Sequence, residues 1–267
     1  MTVAKITLNT LKKHRMDATR FSMITAYDAC FASVASNSGI DSILVGDSLG
    51  MVLQGHASTL PVTVSDIAYH TACVAAASPD CLIVSDIPFM ASATIQDAVE
   101  TARALMQAGA HVVKVEGGRN LIDLVKLYRD QGVPTCCHLG LTPQFVNQFG
   151  GYRVQGRTDE AAKRLIDAAS SLDQVGADLL LLECVPNHVT EAIMEATSVP
   201  VIGIGAGPST TGQVLVMHDL LGITPRNPAR FVKNFMQDAH SIQQAFEAFD
   251  RAVKEGVFPA PEHCFEQ

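Results

Sequence analysis

The prediction of the fold starts from the stretch His111-Val112-Val113-Lys114-Val115-Glu116-Gly117-Gly118. It predicts a buried strand that carries charges. A short run rich in β-branched residues and closed by two glycines is typical of such a strand. Side chains alternate between the faces of a strand, so Val112, Lys114 and Glu116 point the same way. Burying an unpaired charge is very costly. This face therefore carries either a structural ion pair between Lys114 and Glu116 or a functional site.

The composition predicts one acidic globular domain over residues 1–267. The chain is 48% hydrophobic and 17% charged, with a formal net charge of −8. This length is sufficient for one well-buried core, and α/β barrels of about 200–250 residues commonly form a single domain. The acidic balance and the lack of a Lys/Arg run argue against a nucleic-acid partner.

The cysteines and the apolar runs indicate the expected compartment. Seven cysteines are an odd number, and none forms a C-x-x-C pair. Buried reduced thiols behave as small hydrophobic groups, which suits their positions in apolar runs. No signal-peptide core or membrane-spanning run is recognisable, so we expect no membrane association and a cytoplasmic location.

Strand-like and helix-like segments alternate along the chain. The predicted strands are Phe21–Ala26, Ser42–Gly46, Cys81–Ser85, His111–Val115, Pro134–His138, Leu179–Glu183, Val201–Ile204 and Val214–Met217. The main predicted helices between them are Asp28–Ser38, Asp66–Ala77, Ile95–Ala108, Leu121–Gln131, Asp159–Val175 and His188–Thr197. Strict alternation implies parallel strands covered by helices, and eight such units in this length predict a (β/α)8 TIM barrel.

Two further helices flank the predicted barrel. A short helix over Ile6–Met16 precedes it, and a C-terminal helical extension covers Ser241–Glu255. The connection between the last two predicted strands is too short for a full helix. An open doubly wound sheet is the alternative fold, but no G-x-G-x-x-G follows the first strand to support it.

Acidic residues close three consecutive predicted strands, at Asp47, Asp86 and Glu116. Active sites of such barrels lie at the C-terminal ends of the strands, and neighbouring strands are about 4.8 Å apart. Three carboxylates this close repel one another unless a proton or a cation intervenes. An all-oxygen set favours Mg²⁺ over zinc. The alternative is three separate loop or helix-capping acids, since Asp is common in turns.

Glu183 is the candidate general base. It ends the sixth predicted strand after four leucines, roughly across the barrel from the acids, so partial desolvation should raise its proton affinity. The alternative is a glutamate paired with Lys114, Arg153 or Arg157. His138 ends the fifth strand, where it either hydrogen-bonds a substrate oxygen or is an ordinary core histidine.

Ordered motifs along nearly the whole chain resemble the ketopantoate hydroxymethyltransferase family. They are Val45-Gly46-Asp47-Ser48-Leu49-Gly50-Met51, Gly55-His56, Leu60-Pro61-Val62-Thr63, Lys114-Val115-Glu116-Gly117-Gly118, His138-Leu139-Gly140-Leu141-Thr142-Pro143-Gln144, Phe149-Gly150-Gly151-Tyr152, Val154-Gln155-Gly156, Glu183-Cys184-Val185-Pro186, Ile202-Gly203-Ile204-Gly205-Ala206-Gly207, His218-Asp219 and Gly222-Ile223. The resemblance extends from about Phe21 to Pro259.

This resemblance implies a (β/α)8 barrel acting in pantothenate, and hence coenzyme A, biosynthesis. It implies magnesium ligands at the three acids that the strand ends had already indicated. The implied contacts to the keto acid are Asp47, Ser48, Asp86 and Lys114, and the implied proton acceptor is Glu183. The family forms homo-oligomers, commonly decamers, so a homo-decamer is expected.

Two positions depart from the family pattern. Cys137 stands where a glycine commonly precedes the His-Leu-Gly motif, and Thr211 stands where an acid is expected. Neither belongs to the implied metal set. They put in question the surroundings of His138 and the folate side of the site.

The implied chemistry is proton removal beside a carbonyl, followed by carbon–carbon bond formation. Mg²⁺ would polarise the keto group of 3-methyl-2-oxobutanoate, Lys114 would add a positive charge, and Glu183 would take the C3 proton. The co-substrate 5,10-methylenetetrahydrofolate would supply the one-carbon unit, which gives 2-dehydropantoate.

Two other functions stay open at this point. The Asp47–Met51 turn is similar to that of isocitrate lyase and phosphoenolpyruvate mutase, which also use Mg²⁺ to hold an enolate, although no cysteine-bearing lyase loop is recognisable. A non-catalytic barrel that only binds a keto acid is the other alternative. The presence of all four acids argues against it.

Overall fold

A computed structural model describes residues 5–77, 80–225 and 227–266, and in this part of the chain eight parallel strands close into a barrel. The strands are β1 (Phe21–Thr25), β2 (Ser42–Val45), β3 (Leu82–Asp86), β4 (Val112–Glu116), β5 (Thr135–Gly140), β6 (Leu179–Glu183), β7 (Val201–Ile204) and β8 (Gly212–Leu215). Each strand pairs with its neighbour in sequence, and β8 pairs with β1. The predicted barrel is confirmed.

Helices alternate with the strands and cover the outside of the barrel. The α-helices are α1 (Leu8–Met16), α2 (Ala29–Asn37), α3 (Leu49–Val52), α4 (Val64–Ala77), α5 (Ile95–Gln107), α6 (Ile122–Asp130), α7 (Val146–Phe149), α8 (Asp159–Val175), α9 (Asn187–Ala196), α10 (Met217–Leu220) and α11 (Ile242–Lys254). Short 3₁₀ helices cover Arg119–Leu121, Pro143–Phe145 and Pro261–His263. As expected, residues 205–211, between β7 and β8, contain no helix.

The predicted boundaries of β6, β7 and α8 coincide with the observed ones, and most of the others differ by one or two residues. The predicted last strand, Val214–Met217, is wrong in its bounds, because β8 covers Gly212–Leu215 and Met217 begins α10. Gly212 lies directly opposite Phe21 in the pairing of β8 with β1. A Cβ there would lie 2.5 Å from the Phe21 ring, so this pairing needs a glycine at position 212.

The strands separate two apolar layers. Side chains of one parity, among them Val84, Val112 and Cys136, fill the barrel interior, whereas those of the other parity pack under the helices. Lys114 and Glu116 share the interior face with Val112, as the alternation predicted. The interior is therefore apolar towards the N-terminal ends of the strands and charged at their C-terminal ends.

Helix α1 closes the opposite end of the barrel. Leu11 is fully buried and packs with the interior residues, including Phe21. Lys12 Nζ lies 2.8 Å from Asp178 Oδ1, and Arg15 donates to the carbonyl of Thr197 at 2.9 Å. Asp178 immediately precedes β6, so these contacts anchor α1 over the N-terminal ends of the strands. Helix α1 thus covers the end of the barrel opposite the C-terminal mouth.

The cysteines and the helix lengths agree with the sequence. All seven cysteines are free thiols, and only Cys30 is exposed. Among the described residues, no helix combines the length and apolar character needed to cross a lipid bilayer.

Candidate active site

The three acids predicted from the strand ends lie together at the barrel mouth. Asp47 follows β2, and Asp86 and Glu116 are the last residues of β3 and β4. All three are buried, with 3%, 2% and 8% of their surface exposed. The backbone N–H of Asp47 donates to Asp86 Oδ2 at 2.8 Å. Burial, together with the charges of Asp86 and Glu116, raises the pKa of Asp47 well above its usual range.

Gly46 makes the close approach of the first two acids possible. A Cβ at this position would lie 2.9 Å from Ser48 Oγ and 3.3 Å from Asp86 Oδ2. A larger residue would therefore displace the side chains that meet above it. The glycine in this motif therefore has a packing reason.

Lys114 places an ammonium group among these carboxylates. Its Nζ lies 2.5 Å from Asp86 Oδ1 and 3.7 Å from Glu116 Oε1. Burial disfavours the charged lysine, but Asp86, Glu116 and Asp47 outweigh this effect and raise its pKa. The structural pair considered from the sequence, Lys114 with Glu116, is thus the weaker of two contacts, because the main partner of Lys114 is on β3.

His138 spans the interval between Glu116 and Glu183. Its Nδ1 lies 3.2 Å from Glu116 Oε1 and its Nε2 lies 3.3 Å from Glu183 Oε2. Neither contact has hydrogen-bond geometry, so both ring nitrogens are buried without a hydrogen-bond partner among the described residues. Burial and Lys114 disfavour the imidazolium, yet Glu116 and Glu183 outweigh them and raise the pKa of His138 to about 9. An ordinary satisfied core histidine does not fit these surroundings.

Glu183 is less enclosed than the other acids. Its side chain is 17% exposed, in agreement with the predicted partial burial at the edge of an apolar strand. Among the described residues its charged neighbour is His138, and no ion pair joins it to Lys114, Arg153 or Arg157. The carboxylate is therefore available to a ligand in the mouth.

These side chains border one cavity of about 210 Å³. Its polar wall includes every residue predicted for the site, namely Asp47, Ser48, Asp86, Lys114, Glu116, His138 and Glu183. Its apolar wall is formed by Leu44, Leu181, Ile204 and Val214, whose side chains belong to the barrel interior. Ser48 Oγ lies 2.9 Å from the Tyr27 hydroxyl, which orients it. The cavity thus combines acidic, cationic and apolar surfaces.

A larger groove of about 430 Å³ lies beside Gly118, Phe149 and Arg164. None of the predicted site residues borders it. Because the buried charges converge on the smaller cavity, that cavity is the better candidate for the site.

Three contributors to the site were not assigned from the sequence. Gln144 donates from its side-chain Nε2 to Asp47 Oδ2 at 2.9 Å, and from its backbone to Glu116 Oε2 at 2.9 Å. Thr59 borders the cavity, and its buried hydroxyl has no hydrogen-bond partner within the described part of the chain. Tyr27 acts through Ser48. Gln144 ends one of the quoted motifs, and Thr59 lies beside another, which is the signal that could have drawn attention to them.

The donor set suits a hard divalent cation. Three buried carboxylates face one lysine, and Glu116 Oε1 has no hydrogen-bond partner among the described residues. Carboxylate oxygens are the ligands that Mg²⁺ prefers. Lys114, however, lies between Asp86 and Glu116. Among the described residues, no group of three His, Cys, Asp or Glu side chains is arranged to hold a metal ion. The residues fit the ion in chemistry, while the present arrangement pairs two of them, Asp86 and Glu116, with Lys114.

The two departures from the family pattern lie away from the mouth. Cys137 belongs to the outer face of β5, where it packs in the layer beneath the helices, whereas its neighbour His138 points inward. Thr211 immediately precedes β8, and its Oγ1 accepts from the backbone N–H of Val201 at 3.4 Å, at the N-terminal end of the barrel. Neither position alters the wall of the cavity.

The fold and the site define an enzyme of the (β/α)8-barrel class with a cluster of buried acids at its mouth. The sequence pattern of the ketopantoate hydroxymethyltransferases, a family of transferases, matches residues 5–261. The chain belongs to the ketopantoate hydroxymethyltransferase family.

Relatives and solved structures agree with this assignment. The chain is 54% identical over 260 residues to the 3-methyl-2-oxobutanoate hydroxymethyltransferase of Alcanivorax borkumensis, covering 97% of this chain and 99% of the relative. It is 51% identical over 263 residues to the enzyme of the same name from Shewanella amazonensis, covering 98% and 100%. Phosphoenolpyruvate phosphomutase from Streptomyces platensis subsp. rosaceus shares the fold, with a TM-score of 0.60, 15% identity, and coverage of 80% and 82%. A 2,3-dimethylmalate lyase does so with a TM-score of 0.57, 15% identity, and coverage of 80% and 81%.

Proposed function

We propose that this chain transfers a hydroxymethyl group from 5,10-methylenetetrahydrofolate to C3 of 3-methyl-2-oxobutanoate. Overall, the C3–H bond and the two bonds from the folate methylene carbon to nitrogen break, and the methylene carbon forms one bond to C3 and one to the oxygen of water. The C3 proton and one proton of water are taken up by the two folate nitrogens. The products are 2-dehydropantoate and tetrahydrofolate. The names of relatives that are 51–54% identical support the keto acid and the transferred group. The observation that carries the proposal is the convergence of Lys114, three acids and Glu183 on one cavity.

The cavity offers complementary walls to a branched keto acid. The Ser48 hydroxyl and the Lys114 ammonium supply donors for the carboxylate and keto oxygens, and His138 can donate to a substrate oxygen. Leu181 and Val214 form an apolar wall suited to the branched carbon chain. A substrate with one anionic end and one apolar end would therefore bind in a single orientation.

The three acids Asp47, Asp86 and Glu116 would hold Mg²⁺. When bound, the ion supplies a Lewis acid that polarises the keto group and stabilises the negative charge that develops on it. Lys114 contributes a fixed positive charge in the same low-dielectric surroundings, where it acts more strongly than in water. Its raised pKa keeps it protonated at neutral pH.

Glu183 would remove the proton from C3. Its carboxylate borders the cavity and is only partly exposed, so it can approach the substrate carbon without a full hydration shell. A positioned general base commonly contributes a factor of about 10²–10⁴ in rate. Loss of the C3 proton leaves the enolate, whose C3 attacks the methylene carbon of the folate.

Proton NMR in D2O tests the proposal in two stages. With 3-methyl-2-oxobutanoate and Mg²⁺, the C3 proton signal should disappear, and it should persist when the metal is chelated. After 5,10-methylenetetrahydrofolate is added, a hydroxymethyl resonance should appear. Exchange without that resonance would mean a different electrophile. A C3 proton signal that persists, together with no hydroxymethyl resonance, at saturating metal and folate would refute the function.

We further propose that the chain forms a homo-oligomer, with a decamer as the expected state. The support is the family resemblance, together with the general tendency of soluble enzymes toward closed symmetric assemblies. Light scattering coupled to size-exclusion chromatography would give a mass of ten chains, and a monomeric mass would contradict the proposal.

A further inference from the structure

Gln144 lies directly after the Thr142-Pro143 pair in the loop that follows β5. It is the middle residue of the 3₁₀ helix Pro143–Phe145. Proline at the first position of this turn fixes φ near the value that a helical turn needs. The turn thereby directs the backbone N–H of Gln144 to Glu116 Oε2, at 2.9 Å.

The side chain of Gln144 reaches two other strands of the barrel mouth. Its Nε2 donates to Asp47 Oδ2 at 2.9 Å and to the carbonyl of Ile87 at 2.9 Å. A primary amide carries two N–H groups, and both are used here. The opposite orientation of the amide would place its oxygen against two acceptors, so the hydrogen-bond network assigns the nitrogen to this position.

These three hydrogen bonds connect the loop after β5 to each strand end that carries a proposed metal ligand. Asp47 follows β2, Ile87 follows Asp86 of β3, and Glu116 ends β4. Gln144 occupies one oxygen of Asp47 and one oxygen of Glu116. It leaves Asp47 Oδ1 and Glu116 Oε1, and the latter is buried with no hydrogen-bond partner among the described residues.

We infer that Gln144 is a positioning residue that determines which oxygens of Asp47 and Glu116 face the divalent cation. The inference rests on the proposed metal dependence of the reaction. Glutamate could not substitute, because it lacks the N–H groups and would add a negative charge beside the acids. Partners that orient metal ligands in this way typically change metal affinity about 10–100-fold when they are removed.

The experiment measures Mn²⁺ binding to the full-length protein without substrates, by electron paramagnetic resonance of the free ion. Mn²⁺ is a suitable probe because its oxygen-ligand preference overlaps with that of Mg²⁺. Gln144→Met keeps the side-chain length and removes both side-chain hydrogen bonds. The matched control is Gln148→Met, since Gln148 is an exposed glutamine only four residues further along the same loop. Gln144→Asn, a milder change that shortens the amide, covers the case in which the methionine variant does not fold.

We expect the Mn²⁺ dissociation constant to rise about 10–100-fold in Gln144→Met and to rise in Gln144→Asn, with no change in Gln148→Met. A purely structural role would instead lower the unfolding temperature and leave the Mn²⁺ affinity of the folded protein unchanged, which would overturn the inference. If the parent protein binds Mn²⁺ and exchanges the C3 proton while Gln144→Met binds equally well, only this inference fails. If the parent binds no Mn²⁺, the proposed metal dependence fails with it.

Discussion

Lys114 is buried beside three carboxylates, so replacing it by methionine tests the electrostatic account of the site. Its exposed fraction is 4%, and those of Asp86 and Glu116 are 2% and 8%. Lys114→Met keeps an apolar stem of similar length and removes the ammonium group, which lies 2.5 Å from Asp86 Oδ1. The variant then buries three carboxylates without that compensating charge.

Breaking a buried ion pair by removing one partner costs about 3–5 kcal/mol, because the other charge stays buried. At about 2–4 °C per kcal/mol for a chain of this size, the unfolding temperature should fall by roughly 6–20 °C. The loss should depend on pH. Burial already raises the pKa of Asp47, and loss of the ammonium removes an opposing influence on both Asp47 and Glu116.

The sign of this pH dependence follows from proton binding. Without the ammonium, the pKa of each of these carboxyl groups in the folded variant is higher than in the folded parent, so the folded variant binds more protons than the folded parent. The free energy of unfolding relative to the parent therefore decreases as pH rises. The deficit should be largest at neutral pH and above, and it should shrink as acidification protonates the carboxylates in the folded state.

The assay is thermal and urea unfolding of both proteins between pH 5 and pH 8, at one protein concentration because assembly also affects stability. The control is Lys12→Met. Lys12 lies 2.8 Å from Asp178, but the two side chains are 42% and 21% exposed. A solvated pair of this kind contributes less than about 1 kcal/mol. An equal loss in both variants, or a loss in Lys114→Met that does not change with pH, would refute the reasoning.

Further expected outcomes concern the reacting groups, the cavity wall and the turn beneath it. Glu183→Gln should lower kcat about 10²–10⁴-fold and abolish metal-dependent exchange of the C3 proton, whereas retained exchange would exclude it as the base. Thr59→Val should raise KM for the keto acid about 2–12-fold, the value of one hydrogen bond. The control is Thr135→Val, which removes another buried hydroxyl without a hydrogen-bond partner among the described residues. Thr135 begins β5, far from the mouth, so this variant should leave KM unchanged. Equal KM values in both variants would count against a substrate contact at Thr59. Gly46→Ala should reduce Mn²⁺ affinity and activity together, because the added methyl would lie 2.9 Å from Ser48 Oγ; an unaffected variant would show that the turn relaxes easily.

The barrel could be predicted because its signals are local. Alternation within Val112–Glu116 placed Lys114 and Glu116 on one face, and the structure confirms that face as the interior. The acids that end β2, β3 and β4 were recognisable because parallel strands bring their C-terminal ends to one edge. The predicted bounds of β8 were wrong, because its start depends on the pairing of Gly212 with Phe21, which lies far away in the sequence.

Contacts between loops and strands could not be predicted, because they depend on the closed barrel. Lys114 pairs mainly with Asp86, which lies 28 positions earlier and is opposite it in the register of β3 with β4. His138 lies between Glu116 and Glu183 only because β5 separates β4 from β6. Distances along the sequence carry no information about such neighbours.

The sequence by itself determined the eight-stranded barrel, the edge at which its charged residues collect and the family to which the motifs point. Periodicity and the residues at strand ends are properties of short segments, so they can be recognised without knowledge of the fold. Only the tertiary structure decided how those charges are paired, which buried hydroxyls of the described residues lack a hydrogen-bond partner and which atoms Gln144 contacts. Those features depend on register and on loop conformation, which bring together side chains from opposite parts of the chain.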